Sequence, residues 1–163
     1  METIFLIGYM GSGKSTVANI LSRKLNLPKI EMDEEIIKKS GKSIPEIFAQ
    51  WGEEKFRSIE TEVLENIPPK GYVVSTGGGV PLRAENQRLM DKGVVVFLNA
   101  AWQTIAERLE HDKSRPLWQT DVEENKKRFM DRLNIYTSCA DITVDVDGYS
   151  PEEIADQIIT ECL

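Results

Sequence analysis

Gly8, Gly13, Lys14 and Ser15 stand at the spacing G-x-x-x-x-G-K-[ST], the pattern of a loop that wraps phosphate oxygens. The apolar run Ile4-Phe5-Leu6-Ile7 precedes it and reads as a strand. Val17, Ile20, Leu21 and Leu25 follow at helical spacing. Gly8, Gly11 and Gly13 can take positive φ and let backbone N–H groups close around an anion. A helix beginning near Lys14 adds the positive end of its dipole. Lys14 can reach β- and γ-phosphates, and the Ser15 hydroxyl can ligate Mg²⁺. The loop thus implies ATP or a similar triphosphate with Mg²⁺. It does not by itself separate a kinase from an ATPase switch or a GTPase. The guanine-reading string N-K-x-D is missing, the nearest being Asn125-Lys126-Lys127-Arg128 inside a helical stretch.

Other residues suit an anionic acceptor. Asp33 follows the short strand-like run 29–32, at the strand end where ligands collect in open α/β sheets. Gly77, Gly78 and Gly79 close the β-rich run 72–76 and allow close backbone approach to a ligand. Arg57 borders the apolar stripe Phe56, Ile59, Val63 and Ile67. Arg115 sits in a polar, aperiodic stretch that ends in Arg-Pro and reads as a lid, about 110–120. Spacing alone leaves bland readings open. Arg57 and Arg132 could be solvated helix-surface charges, Asp33 a helix cap, Arg115 an ordinary loop arginine and the triglycine a flexible turn. Phe48, Trp51 and Phe56 read as core residues, and His111 as a surface histidine.

These residues need a scaffold. After the first strand–loop–helix unit, which Leu27-Pro28 should end, the stretch from Asp33 to Ile67 is helical. Gly41 punctuates it, Ser43-Ile44-Pro45-Glu46 is a capping box, and Trp51-Gly52 is a stop before a longer helix over 53–66. A helix over 83–92 and the doubly buried strand Val94-Val95-Val96-Phe97-Leu98 come next. Asn99 is placed to cap a helix carrying Trp102, Ile105, Ala106 and Leu109. Thr120–Glu123 and Ser150–Glu153 are further capping boxes, and 142–146 alternates like a strand. Five strands separated by helices predict a five-stranded parallel sheet covered on both faces, a three-layer α/β/α fold with a helical substrate-binding insertion at about 33–67. The 163 residues are read as one domain, 1–163.

Composition narrows the partners. A net charge of −7 argues against non-specific nucleic-acid binding, so anions must be held by local positive groups. No apolar run approaches a membrane span. Cys139 and Cys162 have no metal-ligand spacing and read as reduced thiols of a cytoplasmic protein. The arginine-bearing lid and the helical insertion favour a small kinase that closes over two substrates and excludes water.

At this point the chain resembles the shikimate kinase family over essentially its full length. The matching pieces are the loop from Gly8 to Ser15, Asp33, Phe56-Arg57, Gly77-Gly78-Gly79, Arg115-Pro116-Leu117, and Arg132 with Tyr136. The resemblance implies transfer of phosphate from ATP to the 3-hydroxyl of shikimate, in chorismate and aromatic amino-acid biosynthesis. It implies Lys14, Asp33 and Arg115 as catalytic groups. Asp33, Arg57, Gly77, Gly78, Gly79 and Arg132 would hold shikimate, the two arginines on its carboxylate. Gly11, Ser12, Gly13, Lys14, Ser15, Thr16, Arg108 and Arg115 would hold ATP, with Arg108 over the adenine. Ser15, and Glu31 through water, would serve Mg²⁺. ATP and shikimate are the expected partners of a monomer. Two positions depart from the family. The first carboxylate of its D-x-D pair is Glu31 here, one methylene longer. The loop 147–150 lacks the arginine often found there and carries Tyr149. The alternatives are a gluconate or nucleoside monophosphate kinase, or a nucleotide-dependent switch with no acceptor.

Overall fold

The computed structural model describes residues 1–111 and 122–162. Strands β1 (Ile4–Ile7), β2 (Lys29–Glu31), β3 (Val73–Ser75), β4 (Val94–Asn99) and β5 (Ile142–Asp145) form one sheet in the order β2-β3-β1-β4-β5. Every pairing is parallel, with Ile4 opposite both Val73 and Val94. All four residues of β1 are buried, because helices cover both faces of the strand. Its neighbours are β3 on one side and β4 on the other. The chain therefore reverses direction across the sheet at β1, and a crevice opens beyond its carboxyl end.

Helix α1 (Lys14–Leu25) packs Val17, Ala18, Ile20 and Leu21 inward. It stops at Asn26, in the left-handed conformation at φ 54°, one residue before the Leu27-Pro28 stop that the sequence suggests. Helix α2 (Met32–Ser40) begins directly after β2, so Asp33 sits in a first helical turn rather than on a strand end. Gly41 terminates it at φ 71°. The capping box at Ser43 and Glu46 opens α3 (Ile44–Glu65), which is broken at Gly52, where φ 83° and ψ 172° leave the helical region. The expected stop is thus a kink between two helical pieces.

After β3, a short 3-10 turn (Val80–Leu82), absent from the sequence reading, precedes α4 (Ala84–Met90), which falls within the helix expected over 83–92. Helix α5 (Trp102–Glu110) is not capped by Asn99, which stays in β4 and donates to Asp145 Oδ1 at 2.9 Å. Asp147 caps it instead, accepting from Ala101 N at 2.8 Å. Helices α6 (Val122–Cys139) and α7 (Pro151–Cys162) complete the fold, α7 behind a reciprocal Ser150–Glu153 capping box. The expected lid, about 110–120, falls outside the described residues from 112 onward. Arg115 and the Thr120–Asp121 start of the expected capping box fall outside the described residues. Phe56 is core, Phe48 half-buried, and Trp51 exposed, contrary to its reading as core.

Candidate active site

The chain leaves β1 at Ile7 and turns sharply into α1 through the glycine loop. A Cβ on Gly8 would lie 2.8 Å from Ser12 Oγ and 2.9 Å from the Leu98 carbonyl, so only glycine fits there. Gly13, at φ 99°, is the N-cap of α1 and supplies no side-chain cap, which leaves the first-turn N–H groups to an anion. Ser12 Oγ is buried without a hydrogen-bond partner. Lys14 Nζ folds back over the loop and donates to the carbonyls of Gly8 (2.7 Å) and Tyr9 (3.2 Å). A cationic tip bound to carbonyls across a cradle of donors is poised to exchange them for phosphate oxygens.

A cleft of about 310 Å³ opens from this loop. It is lined by Gly11 to Thr16, by Glu31 and Asp33, by Ser75 to Gly78, and by Arg108, Tyr149 and Pro151. Arg108 Nη1 donates to the Gly11 carbonyl at 2.8 Å, which fixes the guanidinium beside the loop.

The three glycines each face a different functional group. A Cβ on Gly77 would meet Glu60 Oε2 at 3.0 Å and Asp33 Oδ1 at 3.6 Å. On Gly78 it would meet Met10 N at 3.5 Å, Arg132 Nη1 at 3.6 Å and the Gly8 carbonyl at 3.7 Å. On Gly79 it would run into the Arg57 guanidinium, 2.7 Å from Cζ. The turn therefore brings together the loop after β1, the carboxylate of α2, the arginine of α3 and the arginine of α6. Arg132 also lies over the Tyr9 ring, with Cζ 5.7 Å from the centroid. Tyr9 Oη donates to the Asn125 carbonyl at 3.2 Å, and its ring meets Phe129 edge-on at 5.4 Å, so the loop itself seats α6.

Two further groups hold this part of the site: Glu60, which the sequence reading did not name, and Tyr136, which it named only as a piece of the family resemblance. Glu60, 1% exposed, accepts from Arg57 Nη1 at 3.0 Å. Burial raises its pKa above the usual carboxylate range, opposed by the Arg57 charge. Its signal was available: a carboxylate on the same helical face as Phe56, Ile59 and Val63 cannot be solvated and needs a cation one turn away. Tyr136 Oη donates to the Gly78 carbonyl at 2.6 Å. Burial pushes this phenol up to about 12, although the Arg132 and Arg57 guanidiniums are both close enough to pull the other way.

For a divalent cation, the relevant donors are oxygens. Ser15 Oγ donates to Glu31 Oε2 at 3.1 Å, and the other Glu31 oxygen is buried without a hydrogen bond, with Lys29 Nζ 3.4 Å away. The longer side chain thus folds back to the loop serine. A hydroxyl beside a carboxylate oxygen lacking a hydrogen bond fits a hard cation such as Mg²⁺. Among the described residues, no group of three or more His, Cys, Asp or Glu side chains could hold a metal ion.

A phosphate loop at the reversal point of a parallel sheet, facing paired guanidiniums and a carboxylate, defines a P-loop phosphotransferase of the small-kinase class. The chain belongs to the shikimate kinase family, whose model, described as Shikimate kinase, matches residues 10–163. It is 42% identical to the shikimate kinase of Sulfurihydrogenibium sp. over 163 residues, covering 99% of this chain and 98% of that one. It is similar to the crystal structure of shikimate kinase from Aquifex aeolicus, with TM-score 0.87 and 41% identity over 98% of this chain and 95% of that one. It is also similar to shikimate kinase from Acinetobacter baumannii in complex with shikimate, with TM-score 0.93 and 33% identity over 99% and 93%.

Proposed function

We propose that this protein transfers the terminal phosphoryl group of ATP to the 3-hydroxyl of shikimate, giving shikimate 3-phosphate and ADP. The observation that carries the reading is the meeting of Arg57 and Arg132 around Gly78 and Gly79, beside the phosphate loop and within reach of Asp33. Two planar guanidiniums match one carboxylate with bidentate hydrogen bonds. Shikimate is a small carboxylate bearing three hydroxyls, so anchoring its acid end can leave a hydroxyl between Asp33 and the loop.

Phosphoryl transfer has a loose transition state, so positioning and charge neutralisation carry the catalysis. In this reading Lys14 follows the β- and γ-phosphates, and the N–H groups of Gly11 to Thr16 cradle them. Asp33 orients the attacking hydroxyl and takes its proton late, once the bond to phosphorus is forming. Ser15 and Glu31 would hold Mg²⁺, which supplies charge neutralisation on the phosphates. Arg108 and Tyr149 would enclose the base, and Arg115 would neutralise the group in transit. Residues 1–163 would act as one kinase domain, a cytoplasmic monomer working on small molecules rather than nucleic acid. No described helix is long and apolar enough to cross a membrane.

A coupled ADP-release assay against a panel of acceptors tests this. Shikimate should stimulate turnover and become phosphorylated. Phosphorylation of gluconate or AMP but not shikimate would reject the acceptor, and slow ATP hydrolysis indifferent to all acceptors would reject the kinase.

A further inference from the structure

Behind the triglycine turn lies a buried polar pair that the chemistry above does not use. Asn86 of α4 is fully buried, and Thr61 of α3 nearly so. Asn86 Nδ2 donates to the Val80 carbonyl at 2.9 Å, and Thr61 Oγ1 donates to Asn86 Oδ1 at 2.8 Å. The directions are forced. A carbonyl can only accept, so the Asn86 amino group faces Val80, its oxygen faces Thr61, and Thr61 must donate. The same hydroxyl lies 3.1 Å from the Arg57 carbonyl, one helical turn back, and accepts from Arg83 Nη1 at 3.3 Å. The chain of bonds thus runs from the residue after Gly79, through Asn86, to Thr61 of α3, one helical turn from Arg57.

Gly79 and the Arg57 guanidinium are packed so closely that no Cβ fits between them. Their relative placement depends on how the 3-10 turn sits against α3. Few bonds set it: the turn's carbonyls at Val80 and Pro81 are taken by α4 side chains, the latter by Gln87 Nε2 at 2.7 Å. The Asn86 bond continues into α3 at Thr61, where Arg83, the residue after the turn, also donates, its other end 3.6 Å from exposed Glu54.

We propose that Thr61 and Asn86 are positioning residues for the acceptor half of the site: their hydrogen bond locks the triglycine turn against α3 and so aims Arg57. The inference rests on the reading of Arg57 as the acceptor's carboxylate anchor. Neither side chain contacts substrate.

The test uses Thr61→Val, which keeps shape but loses the donor, and Thr61→Ser, which keeps the donor. KM for shikimate should rise about tenfold in T61V with KM for ATP within about twofold, and T61S should restore it, as loss of a directional hydrogen bond predicts. A fall in Tm with both KM values unchanged overturns the proposal, leaving the pair a stabilising contact only. An equal rise in both KM values, or no rescue by T61S, overturns it as well. Should T61V fold poorly, Asn86→Ser, which shortens the bridge, is read by the same KM split. Failure of the wild-type chain to phosphorylate shikimate strikes the underlying function, and is distinct from any of these variant results.

Discussion

Replacing Arg57 with alanine should do two separable things, and the structure says how to separate them. Arg57 is the cation 3.0 Å from Glu60, a carboxylate 1% exposed to solvent. Its other partner, Glu53, is largely exposed at 3.5 Å and contributes little. Arg57→Ala therefore leaves one buried carboxylate without its ion-pair partner, a change that costs about 3–5 kcal/mol. For a chain of this size that is a fall in Tm of roughly 6–20 °C. The sign of the pH dependence follows from Glu60. Burial already raises its folded-state pKa, and removing Arg57 takes away the largest opposing influence. A carboxyl whose folded pKa lies above its unfolded value destabilises the fold at high pH. The penalty appears as pH rises through the unfolded value and is complete above the folded one. R57A should thus be most damaged at pH 8 and recover on acidification. Glu60→Gln in the same chain removes the charge, and the double variant should regain most of the lost stability at pH 8. It should not regain shikimate binding, since the guanidinium is still gone. Thermal melts at pH 5 and pH 8, with KM for shikimate and ATP on each variant, decide it. The reasoning is refuted if R57A melts like wild type at pH 8, if E60Q fails to rescue it, or if the rescued variant binds shikimate normally.

Gly79→Ala, at a φ of −93° that suits alanine, should both lower Tm and raise KM for shikimate selectively, because its Cβ must displace the same Arg57 Nη1 that pairs with buried Glu60; an unchanged KM would dissociate Arg57 from the acceptor. Lys14→Met should lower kcat by about a hundredfold or more through loss of transition-state charge stabilisation, and retained turnover in a stopped-time ADP assay would contradict the phosphate role. Glu31→Ala should raise the Mg²⁺ concentration giving half-maximal rate while leaving KM for shikimate alone, a shift read by magnesium titration at fixed ATP; an unmoved titration removes Glu31 from the cation site.

The phosphate loop was legible because its chemistry is local. Glycines, lysine and serine within eight positions dictate both the backbone conformation and the ligand, and no distant residue is needed to recognise them. The apolar runs of β1 and β4, with helices between strands, were enough for a parallel sheet covered on both faces. Caps were read well where both partners are near in sequence, as at Ser43 with Glu46 and Ser150 with Glu153. They were misread where the partner is remote: Asp147 caps α5 from 46 positions away, and Asn99 is left to the sheet.

Whether Arg57 and Arg132 are solvated charges or a paired clamp was not decidable from their spacing, since 75 positions separate them and a guanidinium on a helix edge looks alike in both cases. The fold stacks β3 beside β1, so that one glycine turn lies against both arginines, Asp33 and the loop, which is the arrangement the proposed clamp requires. Glu60 illustrates the same limit from the other side. Its type and position were visible throughout, but its charge acquires consequence only when packing removes water from it and leaves Arg57 as its partner. Local sequence set what each segment can bind; which segments face one another is a matter of sheet order and burial, and these exist only in the folded chain.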